Sequence, residues 1–376
     1  MSLAMSSFDA VVNLGLRATR RLQAAHKPLV RLMRRSARAQ EHRAYRAAAE
    51  AIDRRIAGLA SGTAPIVVGP WLAEVGYEVL YWIPFLRWFQ DAYGVQRGRM
   101  VVVSRGGMES AYAGLAGAYV DLFDLTTPDR LAARNAERQT DAEGGGQKQS
   151  TISPYEEEIV ASVRARLGLD AVVVLHPSMM FGLFRQVWYG NLPIDVLWRH
   201  TRYVGIDRAA TSAEGLTIAG QPIPDDFIAV KIYGGPALGT SGTARHFVRD
   251  LVVRAARIAP VLLLETEIGI DEHRDFVLDD LPGITSARTL MTPRTNLGVQ
   301  LALLARSRFF LGTCGGLAWL APFLGVPTVA VYDADRLIAP HLLVSRQAGA
   351  RVGAAEFAPL DLRALGRLEL SGSGRS

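Results

Sequence analysis

A chain of 376 residues, 49% of them apolar, has the length for about two domains and enough nonpolar side chains for two substantial cores. No apolar run reaches the roughly 20 residues that a membrane-spanning helix needs, and the N-terminus lacks the apolar core and cleavage site of a signal peptide, so a cytoplasmic globular protein is expected. The net charge of +6 is concentrated: Arg17 to Arg46 holds ten Arg or Lys and one acid, Glu41, so this segment carries +9 and the rest of the chain −3.

That basic segment defines an N-terminal arm, residues 1–60, Ala- and Arg-rich and without strand signals. Leu14, Leu16, Leu22, Val30, Leu32 and Met33 lie among the arginines, a pattern that suits a partly amphipathic helix on an anionic membrane. A solvated helix packed on its own domain is the alternative. Aromatic interleaving and reader motifs are missing, so nucleic acid is not an expected partner.

Ser61-Gly62-Thr63 opens a first α/β unit, 61–210. Ile66 to Val68 is a short buried strand, and Gly69 to Glu78 is a glycine-flanked loop. A helix follows from about Val79 to Tyr93, with Pro84 at its start or at a kink. Met100 to Val103 and Tyr119 to Leu125 read as strands, with the turn Ser104-Arg105-Gly106-Gly107 between them. Arg130 to Gln149 is polar and ends in three glycines, the composition of a mobile excursion. A helix from Pro154 to Leu167, a strand from Ala171 to Leu175 ending at His176, and an aromatic tract from Met179 to Trp198 complete the unit. The stretch from Thr211 to Pro224 is the domain connection.

A second α/β unit, 225–345, repeats the rhythm. Phe227 to Tyr233 is a strand, Gly234 to Thr243 a glycine-rich loop, Ala244 to Ile258 a helix and Val261 to Leu264 a strand that ends at Glu265-Thr266-Glu267. Then Phe309 to Leu311 is a strand, Gly312-Thr313-Cys314-Gly315-Gly316 a turn, and Leu317, Leu320, Ala321 and Leu324 mark a helix stopped by Gly325 and Pro327. In a parallel sheet that turn lies at the carboxyl edge, where its N–H groups and the helix dipole could meet an anion. An ordinary tight connection is the other reading. Residues 346–376 hold a helix from Pro359 to Leu368 and a Ser/Gly tail.

No GxGxxG or GxxxxGK[ST] fingerprint is present, which argues against dinucleotide oxidoreductases and P-loop NTPases. The single cysteine, Cys314, excludes an internal disulfide framework, and the seven histidines show no metal-ligand spacing, so neither a bound metal nor any other cofactor is expected to be required. A small residue packed in a turn and a reactive thiol are both open for Cys314.

Gly-Pro-Trp-Leu-Ala-Glu-Val-Gly-Tyr-Glu at 69–78, paired with the strand, glycine turn and helix at 310–327, resembles bacterial glycosyltransferases of the GT-B type, distantly the heptosyltransferases. Where those enzymes tend to carry an acidic residue and a nearby His, this chain has Thr313-Cys314-Gly315-Gly316. The resemblance implies an α/β fold of two Rossmann-like domains facing a cleft, here with the helical arm. It also implies transfer of a sugar from a nucleotide-sugar, held by the second domain, to a glycan, polysaccharide or glycolipid acceptor on the first. A nucleotide-sugar epimerase and a noncatalytic nucleotide- or glycan-binding scaffold of the same fold are the alternatives.

Under that reading a departing diphosphate needs positive charge and N–H donors, which points to Lys231, Arg245 and the turn Gly312, Thr313, Cys314, Gly315 and Gly316. Lys231 stands among Ile228, Val230 and Ile232 and should reach a partner from the strand end; a surface lysine is the alternative. Tyr233 and Thr240 could orient a phosphate, and Glu265 and Glu267 could accept from ribose or base, or cap the next segment. Glu74 is the first choice for the base that deprotonates the acceptor and His176 the second; Glu78 reads as a cap or buried partner. Trp71, Gly76, Tyr77, Arg105 and Arg185 are candidate acceptor contacts, the aromatics equally core residues.

Overall fold

The computed structural model describes residues 39–140, 149–211, 215–266, 268, 274–276, 278 and 281–364. Within them the chain forms two parallel α/β units that meet across a cleft, the architecture expected from the sequence.

The first unit is a sheet of β1 (Ile66–Val68), β2 (Met100–Ser104), β3 (Ala118–Asp121) and β4 (Val173–Leu175), ordered β3-β2-β1-β4 with every pair parallel. β1 and β2 are buried throughout, as their unbroken Val/Ile runs require of strands covered on both faces. The second sheet contains β5 (Ile228–Lys231), β6 (Val261–Leu263), β7 (Ile284–Ser286), β8 (Phe309–Thr313), β9 (Thr328–Tyr332) and β10 (Phe357–Asp361), ordered β7-β6-β5-β8-β9-β10. Both sheets reverse direction beside their first strand, between β1 and β4 and between β5 and β8. Such a reversal sends the flanking connections to opposite faces and opens a crevice at the strand ends.

Three segments differ from expectation. Pro128–Thr140, overlapping the expected excursion, is a helix whose Leu131 and Asn135 are buried; residues 141–148 with the triple glycine lie outside the described residues. Pro359 belongs to β10, an edge strand paired in register with β9, so the start of the expected C-terminal helix is strand; residues 362–364 are helical, and 365–368 lie outside the described residues. An edge strand tolerates Pro because it need not donate on its open side. A long helix, Asp335–Val352, runs instead across the expected boundary at 345.

Of the arm, residues 39–61 are described and helical. Ile56 is fully buried in the first core, and the Arg99 guanidinium donates to the carbonyls of Leu59, Ala60 and Ala64, so this end of the arm is part of the first domain. Residues 1–38, with most of the arginines, lie outside the described residues. No helix among the described residues is long and apolar enough to cross a membrane.

Candidate functional site

The crevice at β5 and β8 opens into a cavity of about 420 Å³ between the two domains. Lys231 is the last residue of β5 and pairs in register with Gly312 on β8, so the lysine stands beside the start of the glycine turn. Its ammonium, short of water at the strand end, meets the Asp275 carboxylate at 2.9 Å. Burial lowers the Lys231 pKa, and the neighbouring charges of Asp275 and Glu265 oppose that shift. Asp275 also accepts from the Thr266 N–H at 2.7 Å. Glu265 contributes field but does not line the cavity, and among the described residues its buried Oε1 has no hydrogen-bond partner.

The turn is shaped by backbone constraints. Gly315 has φ +152°, and a Cβ there would lie 2.6 Å from the Tyr233 hydroxyl, so both conformation and space demand glycine. Thr313 faces away from the cavity: its hydroxyl donates to the Tyr233 carbonyl and accepts from the Tyr233 N–H, both at 2.9 Å. Gly312 packs on the Phe310 ring and is likewise outside. Cys314 lines the cavity but is 1% exposed, and burial pushes its thiol up to about 12. That is an unreactive thiol filling a small space. The helix after the turn is shorter than expected, Gly316–Leu320 followed by a tight 3₁₀ turn, so its dipole is correspondingly small.

The opposite wall comes from the loop after β1. Gln149 holds that loop: its Oε1 accepts from the N–H groups of Leu72 and Ala73 at 3.0 and 3.1 Å, and its amide donates to the Pro70 carbonyl at 2.7 Å. Arg105 lines the cavity and donates to the Ala73 carbonyl at 3.1 Å. Glu74, half-buried at the cavity, sits immediately before the helical run 75–93. That run contains a π-helical segment, Glu78–Trp82, a widened turn of the kind that concentrates at functional sites. Gly76 is where the walls touch: a Cβ there would meet the Trp319 ring at 2.9 Å and the Gly316 nitrogen at 3.1 Å. The two stretches that the sequence reading paired are thus in direct contact.

Glu78, on the inner face of the same run, is fully buried; it accepts from the Ser104 hydroxyl and, at 2.5 Å, from the Tyr112 hydroxyl. Burial raises its pKa to about 7 against the lowering effect of those hydrogen bonds and of Arg105. It is a buried partner, one of the two roles foreseen for it.

Several sequence candidates stand elsewhere. His176 caps the helix Pro177–Trp188: its Nδ1 accepts from the Ser178 N–H at 3.1 Å, which leaves the proton on Nε2 to donate to Glu156 at 3.0 Å. Ring and carboxylate are buried away from the cavity, so His176 is structural and not a base. Trp71 is fully buried and stacked between Trp82 and Phe181, core rather than platform. Arg185 lies over the Tyr189 ring, exposed Arg245 lies over Phe276, and exposed Thr240 packs on Gly234; none of them lines the cavity. Glu267 lies outside the described residues.

Sequence reading missed Asp275, Asn296, Gln300 and His341, all in the cavity wall. Asn296 and Gln300 come from the first turns of the helix Asn296–Arg306, which the Gly106-Gly107 turn of the first domain meets through a hydrogen bond from the Gly298 N–H to the Gly106 carbonyl, 2.8 Å. His341 arrives from the helix Asp335–Val352 and bonds Tyr77 and Tyr81 of the first domain. Burial lowers its pKa to about 4, so the imidazole is neutral. Among the described residues no cluster of three His, Cys, Asp or Glu side chains could hold a metal ion.

No protein-family model matches the sequence, and no curated relative matches it. Among solved structures the chain is similar to the glycosyl transferase family 9 protein of Veillonella parvula, at 14% identity over 83% of this chain and 89% of that one, with a TM-score of 0.43. It is also similar to the E. coli heptosyltransferase WaaC with ADP, at 13% identity over 82% and 99%, TM-score 0.42. The UDP-GlcNAc 2-epimerase of Methanocaldococcus jannaschii is matched at 13% identity over 79% and 88%, TM-score 0.34.

Proposed function

We infer that the chain is a glycosyltransferase that moves a sugar from a nucleotide-sugar to a hydroxyl of a glycan, polysaccharide or glycolipid. The observation that carries this reading is the furnishing of one interdomain cavity. Lys231 and the open glycine turn stand at the topological switch point of the second sheet, and Glu74 faces them from the first domain. In an inverting transfer Glu74 takes the proton of the acceptor hydroxyl, whose oxygen bonds to the anomeric carbon. The bond from that carbon to the diphosphate oxygen breaks, and its electron pair leaves with the nucleoside diphosphate. Lys231 then opposes the charge that develops on the leaving phosphate. For this the diphosphate must replace Asp275 as the lysine's partner.

The basic segment from Arg17 to Arg46 suits a protein held peripherally at the inner face of an anionic membrane, where lipid-linked acceptors of the cell envelope reside. Binding to anionic vesicles should weaken with salt and with deletion of residues 1–38.

Thermal unfolding in the presence of nucleoside diphosphates and nucleotide-sugars tests the donor seat. A nucleotide at one hundred times its Kd should stabilise the fold by about 2.7 kcal/mol. No stabilisation by any nucleotide would sink the reading. Interconversion of the nucleotide-sugar without an acceptor would establish epimerisation instead, and binding without turnover would establish a scaffold.

A further inference from the structure

The cavity wall contributed by the first domain contains a hydrogen-bond chain that has only one economical direction. His341 Nδ1 lies 2.5 Å from the Tyr81 hydroxyl, and Nε2 lies 3.2 Å from the Tyr77 hydroxyl. Aromatic rings surround the imidazole: Tyr77 edge-on at 5.1 Å, Trp188 at 5.6 Å and Trp319 at 5.6 Å between centroids. A neutral imidazole has one N–H and one lone pair, so one tyrosine must donate to it and the other must accept from it.

Burial decides which. Tyr81 is fully buried, does not line the cavity, and among the described residues has His341 Nδ1 as its hydrogen-bond acceptor. If Nδ1 carried the proton, the Tyr81 O–H would be stranded without an acceptor in the core, a substantial cost for a buried donor. With the proton on Nε2, Tyr81 donates to Nδ1 and Nε2–H donates to the Tyr77 oxygen. The Tyr77 proton is then left over, and Tyr77 lines the cavity.

We propose that His341 and Tyr81 are positioning residues that commit the Tyr77 hydroxyl to act as a hydrogen-bond donor into the cavity beside the Glu74 carboxylate. Glu74 and Tyr77 stand three residues apart at the start of the same helical run, and both line the cavity. A hydroxyl donor in the same cavity wall as a carboxyl acceptor matches a ligand hydroxyl, which accepts one hydrogen bond while donating another. A phosphate or carboxylate fits better toward Arg105 and Lys231, the cations that line the same cavity. The group matched to the space between Tyr77 and Glu74 is therefore a ligand hydroxyl, and its assignment as the glycan hydroxyl that accepts the transferred sugar rests on the glycosyltransferase reading.

The test begins with the full-length protein carrying isotope-labelled histidine, in which NMR of the ring nitrogens distinguishes the protonated from the unprotonated one; His341→Gln assigns the signal. The expected state is Nε2–H with bare Nδ1 in the wild type and in Tyr77→Phe; in Tyr81→Phe, where nothing donates to Nδ1, the other tautomer should gain population. A wild-type ring protonated at Nδ1 overturns the proposal even if no variant folds. With whichever nucleotide-sugar and acceptor support transfer, Tyr77→Phe should lower kcat/KM by roughly tenfold, the worth of one hydrogen bond, and Tyr81→Phe should lower it by less. Nucleoside diphosphate affinity should stay unchanged, and the double variant should be no worse than Tyr77→Phe alone. Additive losses would mean that Tyr81 acts through packing, and would overturn the chain. If every nucleotide-sugar proves inert while the tautomer is as expected, the hydrogen-bond chain stands and the glycosyl-transfer reading alone falls.

Discussion

The two sheets make the same reversal beside their first strand, yet among the described residues the two crevices are furnished differently. At β1 and β4 the space is filled by the chain itself: Gln149 ties down the loop after β1, Glu156 accepts from both Gln149 and His176, and all three side chains are buried. At β5 and β8 the strand ends carry Lys231 and a glycine turn, side chains too few or too small to fill the gap, and a cavity of about 420 Å³ remains. Topology makes a crevice twice. Whether it becomes a site depends on what the next few residues leave empty, and the plugged crevice serves the open one by fixing the loop that presents Glu74.

If that division holds, damage to the plug should appear as instability and damage to the open crevice as lost binding. Glu156→Ala removes the acceptor for both the Gln149 amide and the His176 Nε2–H, and also the capping box with Ser153, whose N–H and hydroxyl each bond Glu156 at 2.7 Å. A loss of about 3 kcal/mol is expected from urea unfolding, since two buried donors lose their partner together with a cap. Lys231→Met should leave the unfolding midpoint nearly unchanged but weaken nucleoside diphosphate binding by roughly a hundredfold, the scale of a charge-assisted pair in a site poor in water. A Lys231→Met protein that binds the nucleotide as tightly as wild type would remove the lysine from the seat.

The same division explains what was legible in the sequence. Apolar runs and glycine punctuation located the strands of both sheets except the edge strand β10, which reads as helix, because buried parallel strands and tight turns have strong local signals. Lys231 was found because a charge among Ile228, Val230 and Ile232 has no place within a buried strand. Glu74, Gly76 and Tyr77 were found because they share one motif with the loop. His176 looked like a site residue because a strand end is where ligands bind, but Glu156, twenty residues upstream in the sequence, had already claimed it. His341 carried no local signal: it is one histidine in an ordinary helix, and its role comes from Tyr77 and Tyr81 of the other domain. Asp275 was invisible for the same reason, being defined by the end of a distant strand. The chemistry that depends on contacts between domains is what a local reading leaves out.

Two buried groups on the cavity's flank give the comparison a pH axis. Glu78, raised from 4.5 to about 7, keeps a proton in the folded state that the unfolded chain has lost, so its contribution is full below about pH 4.5 and declines as pH rises to 7. His341, lowered from 6.5 to about 4, stays neutral when folded while the unfolded chain takes up a proton, so its contribution is full above about pH 6.5 and is lost as pH falls to 4. The slopes oppose one another through the overlap and should largely cancel in the wild type. Relative to wild type, Glu78→Gln should gain stability with rising pH, by up to about 1.4 kcal/mol per pH unit, and His341→Gln should gain it with falling pH. Parallel stability curves for wild type and Glu78→Gln between pH 5 and 7 would mean that Glu78 titrates like an exposed carboxyl.

The smallest effect is expected where the walls touch. Gly76→Ala places a methyl group 2.9 Å from the Trp319 ring and 3.1 Å from the Gly316 nitrogen, contacts too close to keep without moving one wall. Gly76 lies in a helical turn, so Ala also gains about 0.5–1 kcal/mol from the reduced freedom of the unfolded chain. That gain and the steric cost oppose each other in the unfolding free energy, which should change by less than about 1 kcal/mol. Affinity has no such offset, because only the folded protein binds. Shifting the glycine turn by a few tenths of an ångström against Lys231 should therefore weaken nucleoside diphosphate binding severalfold while stability barely moves. Equal affinity in Gly76→Ala would show that the seat tolerates displacement of the turn, and would leave Lys231 and the strand ends as its rigid part.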